Sequence, residues 1–396
     1  MMNKLQTLNL LLAGLVFSSI LLFPQFKIVD RLPYFQFIDL LVPVIGIVVF
    51  LQRKSLVFSK FYLWLIGFGM AILVSNLINY SNNGLRDYFE IYKVLKFGLV
   101  VALFSLVRFE SFYKSWLKPV FITLVGVNLI HYFNLFDFND IIKEYYNGGI
   151  HIDLFGLDSK GNVGTKRMLG LAGNPNVNAV VFLFFITLFF PHKGQVKQAI
   201  IWFVVALFML FLCQSRTSLV GLVVMVGYAI LSKKSTLKYY SLIGLILFTF
   251  LLSFLLSQNS YINTMFDKDV LENNSMMGRY EVWKYLGKMI LDKPIFGYGA
   301  YKQYFYERNM YAESQYLLIF WRYGLVGLIA FLGLIFYPIY FAFKSKLNSK
   351  SFLLVLFTIS ITINSLTNAP VADRSTSILY AILLGFWLCH KKEKCV

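Results

Sequence analysis

The stretch ESQYLLIFWRYGLVGLIAFLGLIFYPIYF, Glu313 to Phe341, carries one carboxylate at its start, one guanidinium at Arg322 and otherwise almost nothing but apolar and aromatic side chains. A bilayer's hydrocarbon core takes about 20 helical residues. The stretch therefore reads as a helix that crosses a membrane. Working outward from it, similar runs recur along the chain, at roughly 7–24, 33–51, 59–79, 88–107, 117–136, 176–191, 198–213, 216–232, 238–257, 351–367 and 375–390. With 313–341 they predict an all-α polytopic membrane protein of about 12 transmembrane helices in a single transmembrane domain, 1–396. Composition agrees: 58% of the 396 residues are hydrophobic and 14% charged, against about 25% charged in a soluble domain. The first run is followed by further spans and by no small-residue cleavage site, so a retained helix is expected rather than a signal peptide.

Twelve spans place both termini on one side. On that side fall eighteen lysines and arginines, including Arg53, Lys54, Lys60, Arg108, Lys114 and Lys118. The short loops opposite hold five, Lys27, Arg31, Arg86, Arg216 and Arg374. Positive charge is retained in the cytoplasm during insertion, so both termini are expected to be cytoplasmic. The net charge of +18 is read the same way, as topology and attraction to anionic lipid rather than to nucleic acid. Cys213, Cys389 and Cys395 have no metal-ligand spacing and form an odd count, so neither zinc nor a disulfide framework is expected.

Two long connections remain, 137–175 and 258–312, both on the outer side; long loops in compact folds are usually functional. Seven of the ten arginines also fall on that side: Arg31, Arg86, Arg167, Arg216, Arg279, Arg308 and Arg374. Lysine suffices for topology, whereas the planar guanidinium suits phosphate.

In KRMLGLAGNPNVNA, Gly170, Gly173 and Pro175 break the chain, and Asn174 and Asn176 stand where a helix begins, beside Arg167. A helix N-terminus favours an anion; the plainer reading is an ordinary cap. In QSRTSLVG, Ser215 and Arg216 occupy a turn of a few residues at membrane level, where an arginine either finds a ligand or snorkels to headgroups. In GRYEVWKYLGKMI, Arg279, Trp283, Leu286 and Ile290 share helical spacing, which predicts an amphipathic interfacial helix in the second loop. Pro294, Gly297 and Gly299 then turn the chain back toward the membrane. Glu313 at the outer end of its span is either a helix-start carboxylate or a general base. Arg322, about 13 Å further along that helix, is expected to face the protein interior. Lys93 and Lys96, close to Glu90, are expected in a buried ion pair or lining a cavity.

Taken in order, Arg167 with GLAGNPN, SRTSLVG, GRYEVW with PIFGYG, and ESQYL with YGLVGL resemble the O-antigen polymerase and ligase superfamily over about residues 160–340. The resemblance implies a multi-span, GT-C-like glycosyltransferase of the bacterial cytoplasmic membrane with a periplasmic or extracellular site. Its donor would be a glycan on undecaprenyl pyrophosphate, its acceptor the next lipid-linked repeat unit, and no cofactor or metal is implied. Chain-length regulators and other polysaccharide-assembly proteins are candidate partners. Ligases of the family carry a histidine where this chain has Glu313, which points to the polymerase branch; a ligase and a transporter or flippase of lipid-linked sugars are the alternatives. On this reading Glu313, Arg216 and Arg279 are catalytic candidates. Arg167, Asn174, Asn176, Ser215, Tyr316, Arg322, Lys93 and Lys96 are candidates for substrate binding.

Overall fold

The computed structural model describes residues 4–23, 25, 35–56, 59–144, 149–158, 166–190, 196–232, 274–308, 310, 312–344 and 349–395. Among these residues there are helices and no strands. The long helices are α1 (Lys4–Leu22), α2 (Phe37–Leu51), α3 (Phe61–Ile78), α4 (Leu85–Ser105), α5 (Phe109–Phe133), α6 (Pro175–Leu188), α7 (Val196–Cys213) and α8 (Arg216–Leu231). After them come α9 (Asn274–Asp292), the short α10 (Lys302–Glu307), α11 (Gln315–Lys344), α12 (Ser349–Thr367) and α13 (Arg374–Cys395). Five of them, α1, α3, α5, α11 and α12, are long and apolar enough to cross a membrane. Shorter apolar helices match the expected spans at α2, α6, α7, α8 and α13. α4 is long enough, at 21 residues, but carries Arg86, Asp87, Glu90, Lys93 and Lys96 toward its N-terminal end. The span expected at 238–257 and the first part of the second long loop lie outside the described residues, as do Lys27, Arg31, Tyr145 and Tyr146.

α6 is at the centre. Apolar on every side, it is buried on every side, as such a helix must be. Water does not drive helices together within lipid; close packing does. Here the packing is aromatic: Phe185 meets Phe121 of α5 with ring centroids 4.7 Å apart, and Phe184 meets Phe357 of α12 edge-on at 5.3 Å. Such pairs contribute about 0.5–1.5 kcal/mol each beyond area. α13 packs along α4, α11 along α3, and α8 along α12, closing the bundle around α6. Apolar residues left at the periphery follow helical spacing, as with Leu8, Leu11 and Leu15 of α1, and form the face a lipid would cover.

Asn9 and Gln52 exchange two hydrogen bonds, 3.0 and 2.8 Å, and Lys350 reaches Glu110 at 3.4 Å, joining segments rich in lysine and arginine. The segment between α9 and α11 is built around a break in α11.

Gly324 stands at φ 63 and ψ −163 inside α11, a conformation only glycine adopts readily. The break frees the carbonyls of Trp321 and Arg322 and the N–H groups of Leu325 and Val326. Backbone cannot stay unpaired at this depth. PIFGYG supplies the partners: Tyr298 and Gly299 donate to the two carbonyls at 3.1 and 2.7 Å, and Pro294 and Ile295 accept from the two amides at 2.8 and 3.3 Å. The turn at Pro294, Gly297 and Gly299 thus does more than bring the chain back. It docks into the broken helix.

α3 holds this joint from the other side. Ser75 donates to the Arg322 carbonyl at 2.8 Å and accepts from Gly299 at 3.0 Å. Asn76 accepts from Ala300 at 2.8 Å, Asn79 donates to Gly297 at 3.1 Å, and Asn83 beyond the helix accepts from Tyr301 at 2.9 Å. Asp87, at the start of α4, completes the row by accepting from the Lys302 amide at 3.0 Å.

Candidate functional site

α9 carries the spacing seen in the sequence, and its apolar face is buried: Leu286 is fully enclosed and Ile290 nearly so. One turn further out, the Trp283 indole donates to the Ala312 carbonyl at 2.6 Å. One more turn brings Arg279 onto Glu313 in an ion pair. The pair is partly open to its surroundings, with side chains 24% and 36% exposed. Glu313 has φ 46, in the left-handed region that costs a side chain with a Cβ about 1–2 kcal/mol. Strain of this kind persists only where neighbouring contacts over-determine it, and it concentrates at functional sites. Trp283 and Arg279 are such contacts.

Glu313 is not an N-cap of α11 in the ordinary sense, because its carboxylate is turned to Arg279. The helix start is held instead by backbone and amide groups: the Gln315 amide donates to Asn368 at 3.1 Å, and its side-chain carbonyl accepts from Ala372 at 2.9 Å. Tyr316 donates to the Thr362 carbonyl at 3.1 Å. This ties the start of α11 to the end of α12. The start of α8 joins them through a contact between the Thr217 and Thr367 hydroxyls, and Ser218 donates to Asn364 at 2.7 Å. Arg216 opens α8 directly after Ser215, whose hydroxyl donates to Ser218 at 3.1 Å. Gln214 before them is again left-handed, at φ 50.

Arg167 reaches the same turn from the first long connection. Its Nε donates to the Cys213 carbonyl at 3.1 Å and its Nη2 to the Asn176 side chain at 3.0 Å. Asn174 caps α6, its side-chain oxygen accepting from the amides of Asn176 and Val177 at 2.8 and 3.4 Å. The cap's oxygen is therefore committed to the helix, and Asn176 orients the arginine. These contacts link the end of α7 that Arg167 meets, the start of α8 with Arg216, the end of α12 and the start of α11 beside the Arg279–Glu313 pair into one rim of helix ends.

Lys93 and Lys96 part company. Lys93 pairs with Glu90 at 2.9 Å and lines a cavity between α3, α4, α11 and α13, together with Gln315 and Arg322. Lys96 faces the other way: its ammonium lies 2.8 Å from Asp39 of α2, with Gln36 at 3.4 Å, and is buried. Three residues fall about 60° short of a helical turn, which carries it off the cavity face. The cavity has a volume of about 70 Å³, room for a few waters beside Lys93 and Arg322. Arg167, Arg216 and Arg279 are not among its lining residues.

Sequence reasoning missed Lys302, which enters from α10 and puts its ammonium 2.6 Å from Glu90. Burial pushes this ammonium down to about 8, against the opposing pull of Glu90. It also missed the polar face of α3. Ser75, Asn76 and Asn79 recur at helical spacing in an otherwise apolar span, a signal that polar residues there have partners.

A comparison with known families bears on the segment that carries most of this rim. Residues 201–332 match the O-antigen ligase family. The match covers about a third of the chain and agrees with the resemblance to the O-antigen polymerase and ligase superfamily. It spans Ser215, Arg216, Arg279, Glu313, Tyr316 and Arg322, while Arg167, Lys93 and Lys96 lie outside it. No curated protein matches the chain.

Proposed function

We propose that the chain polymerises lipid-linked oligosaccharide repeat units into a surface polysaccharide, O-antigen or capsule, on the outer face of a bacterial cytoplasmic membrane. The growing glycan passes from undecaprenyl pyrophosphate to a hydroxyl of the next lipid-linked unit. The observation that carries this reading is the Arg279–Glu313 pair, partly open and with Glu313 on a strained backbone.

The chemistry follows from the pair. A diphosphate arriving at the rim competes with Glu313 for Arg279, because bidentate contact with phosphate oxygens suits a guanidinium. The carboxylate so released accepts the proton of the acceptor hydroxyl. The hydroxyl oxygen bonds to the anomeric carbon as the bond from that carbon to the diphosphate oxygen breaks, and the electron pair leaves with the lipid diphosphate. Arg216 and Arg279 stabilise that developing charge, Arg167 supports the turn that carries Arg216, and no metal is assigned a part. Attack opposite the leaving group inverts the anomeric centre.

Reconstitution with lipid-linked repeat units tests the reading: wild type yields a ladder of lengths, and Glu313→Gln and Arg216→Ala lose it while remaining folded. Normal ladders from both variants would exclude the assignment. The description of the matched family favours a second reading, a ligase that moves finished glycan to lipid A core or to protein. A deletion strain separates the two: single-repeat lipid-linked material accumulates if the chain is a polymerase, long unattached glycan if it is a ligase.

A further inference from the structure

The chain leaves α5 through a turn in which Asn134, Phe136 and Asp137 lie at φ 49, 61 and 52, all in the left-handed region. Asparagine and aspartate tolerate that region at the end of a helix; for a phenylalanine it is a strained conformation. Neighbouring contacts hold the turn. The Asn134 side-chain carbonyl accepts from the Asn139 amide at 2.8 Å, and the Asn139 side chain donates back to the His131 carbonyl at 2.7 Å. The Phe136 ring is thereby kept away from the fold, 89% exposed. Strain that persists in this way marks a segment with a use.

Two observations say what meets it. Phe136 follows directly on α5, which is long and apolar enough to cross a membrane, and the exposed side of that helix runs into the turn. Ile122, Gly126 and Phe133 are exposed at helical spacing along α5, and exposed Leu135 and Phe136 continue the apolar surface past its end. Such a patch differs from the single apolar residues that any surface carries. Lys166 then returns to the same spot from the first long connection, its ammonium 4.9 Å from the centre of the Tyr132 ring and 5.8 Å from that of Phe133. It pairs with no carboxylate among the described residues. Aromatic rings and a lysine at the end of a span suit the headgroup level of a bilayer, where rings sit at the acyl boundary and an ammonium reaches the phosphates. Arg167, next in the chain, turns elsewhere, to the Cys213 carbonyl and Asn176.

We propose that this turn docks on the bilayer that α5 crosses, with Leu135 and Phe136 entering the boundary between headgroups and acyl chains and Lys166 meeting a lipid phosphate. Burial of the ring in lipid offsets the strain that puts it there. Lipid contact at Lys166 in turn sets the depth at which its neighbour, Arg167, is presented to the rim of helix ends. The docking goes beyond the polymerase reading and does not depend on it.

Spin labelling tests the docking without reference to turnover. The full-length chain carrying Cys395→Ser and Leu135→Cys, in which Cys213 and Cys389 are buried, is labelled with a nitroxide and placed in nanodiscs of phosphatidylcholine and phosphatidylglycerol. The label is expected to collide with dissolved oxygen in preference to a water-soluble nickel complex, as one at Ile122→Cys does, and a label at Lys166→Cys is expected to sit shallower. Phe136→Gly keeps the turn, since glycine accepts a positive φ, and removes the ring. It is expected to shift the Leu135→Cys label toward nickel, and a thermal melt confirms that the variant folds. A label that prefers nickel from the outset, or whose preference ignores Phe136→Gly, would overturn the proposal. So would a label that neither reagent reaches, the sign of a protein surface, such as a second copy of this chain, over the patch.

Discussion

Lys96–Asp39 and Arg279–Glu313 both join a cation to a carboxylate across helices distant in sequence, yet their surroundings differ. The first is enclosed, its side chains 3% and 14% exposed, and Asp39 also accepts from the Tyr92 hydroxyl at 2.9 Å and from the Gln36 amide at 2.9 Å. Both carboxylate oxygens of Asp39 are in use. The second pair is partly open, one partner sits on a strained backbone, and the contact between them is the main one each side chain makes. A closed pair holds helices in register and is costly to break; an open pair contributes little to stability and is free to exchange partners. The difference separates a structural pair from a working one, although both begin as charged residues in apolar company.

The largest expected effect breaks that comparison on the working side. Arg279→Gln is expected to slow ladder formation by about 10²- to 10³-fold, the scale of losing one fixed group that stabilises developing charge, with the melting temperature nearly unchanged. On the structural side the pattern reverses. Lys96→Met leaves Asp39 buried without its cation and is expected to cost about 3 kcal/mol, read as a lowered midpoint in detergent unfolding. If the two variants behaved alike, the distinction between the pairs would fail.

Gly324→Ala tests the joint that positions the rim. A Cβ there would lie 2.2 Å from the Ile295 carbonyl, and the backbone conformation is one that alanine avoids. A loss of about 3 kcal/mol or more is expected, with limited proteolysis showing the segment around PIFGYG released first.

A smaller effect depends on pH. The folded state lowers the Lys302 ammonium to about 8, below the ordinary lysine value of about 10.4, so between these values the unfolded chain binds more protons. Stability from this group therefore rises with pH across that window, and the cost of burying the charge is felt in full below it. Subtracting the Lys302→Met profile from that of wild type should leave this rising limb. A flat difference would mean that Lys302 does not lie where it does on Glu90. The smallest effect is expected at Asn174→Ala, about 1 kcal/mol from loss of the α6 cap, followed by hydrogen exchange at Asn176 and Val177.

How much of this was legible beforehand follows the range of the interactions. Apolar runs, the Asn-Pro-Asn cap and the amphipathic face of α9 are patterns within ten or twenty residues, and they could be read from spacing alone. The partner of Glu313 could not, since Arg279 is 34 residues away and its approach depends on Trp283 being anchored at Ala312. Lys93 and Lys96 looked equivalent because three residues separate them, yet the roughly 60° between them sends one into a cavity and the other to Asp39. Lys302 gave no sign at all. Nothing near it in the chain is acidic in the right place, and Glu90 lies more than 200 residues earlier.

By itself the sequence determined the class of molecule and the order of its parts, because the match between apolar length and bilayer thickness is a property of each segment alone. It also determined which residue types were available at the arginine-rich end. Only the tertiary structure decided which of those charges meet, which are spent on holding helices together, and that a glycine break in one helix is filled by another stretch of chain. The physical reason is that a buried charge or an unpaired backbone group is satisfied by whatever the fold brings within about 3 Å, and that neighbour need not be close in sequence.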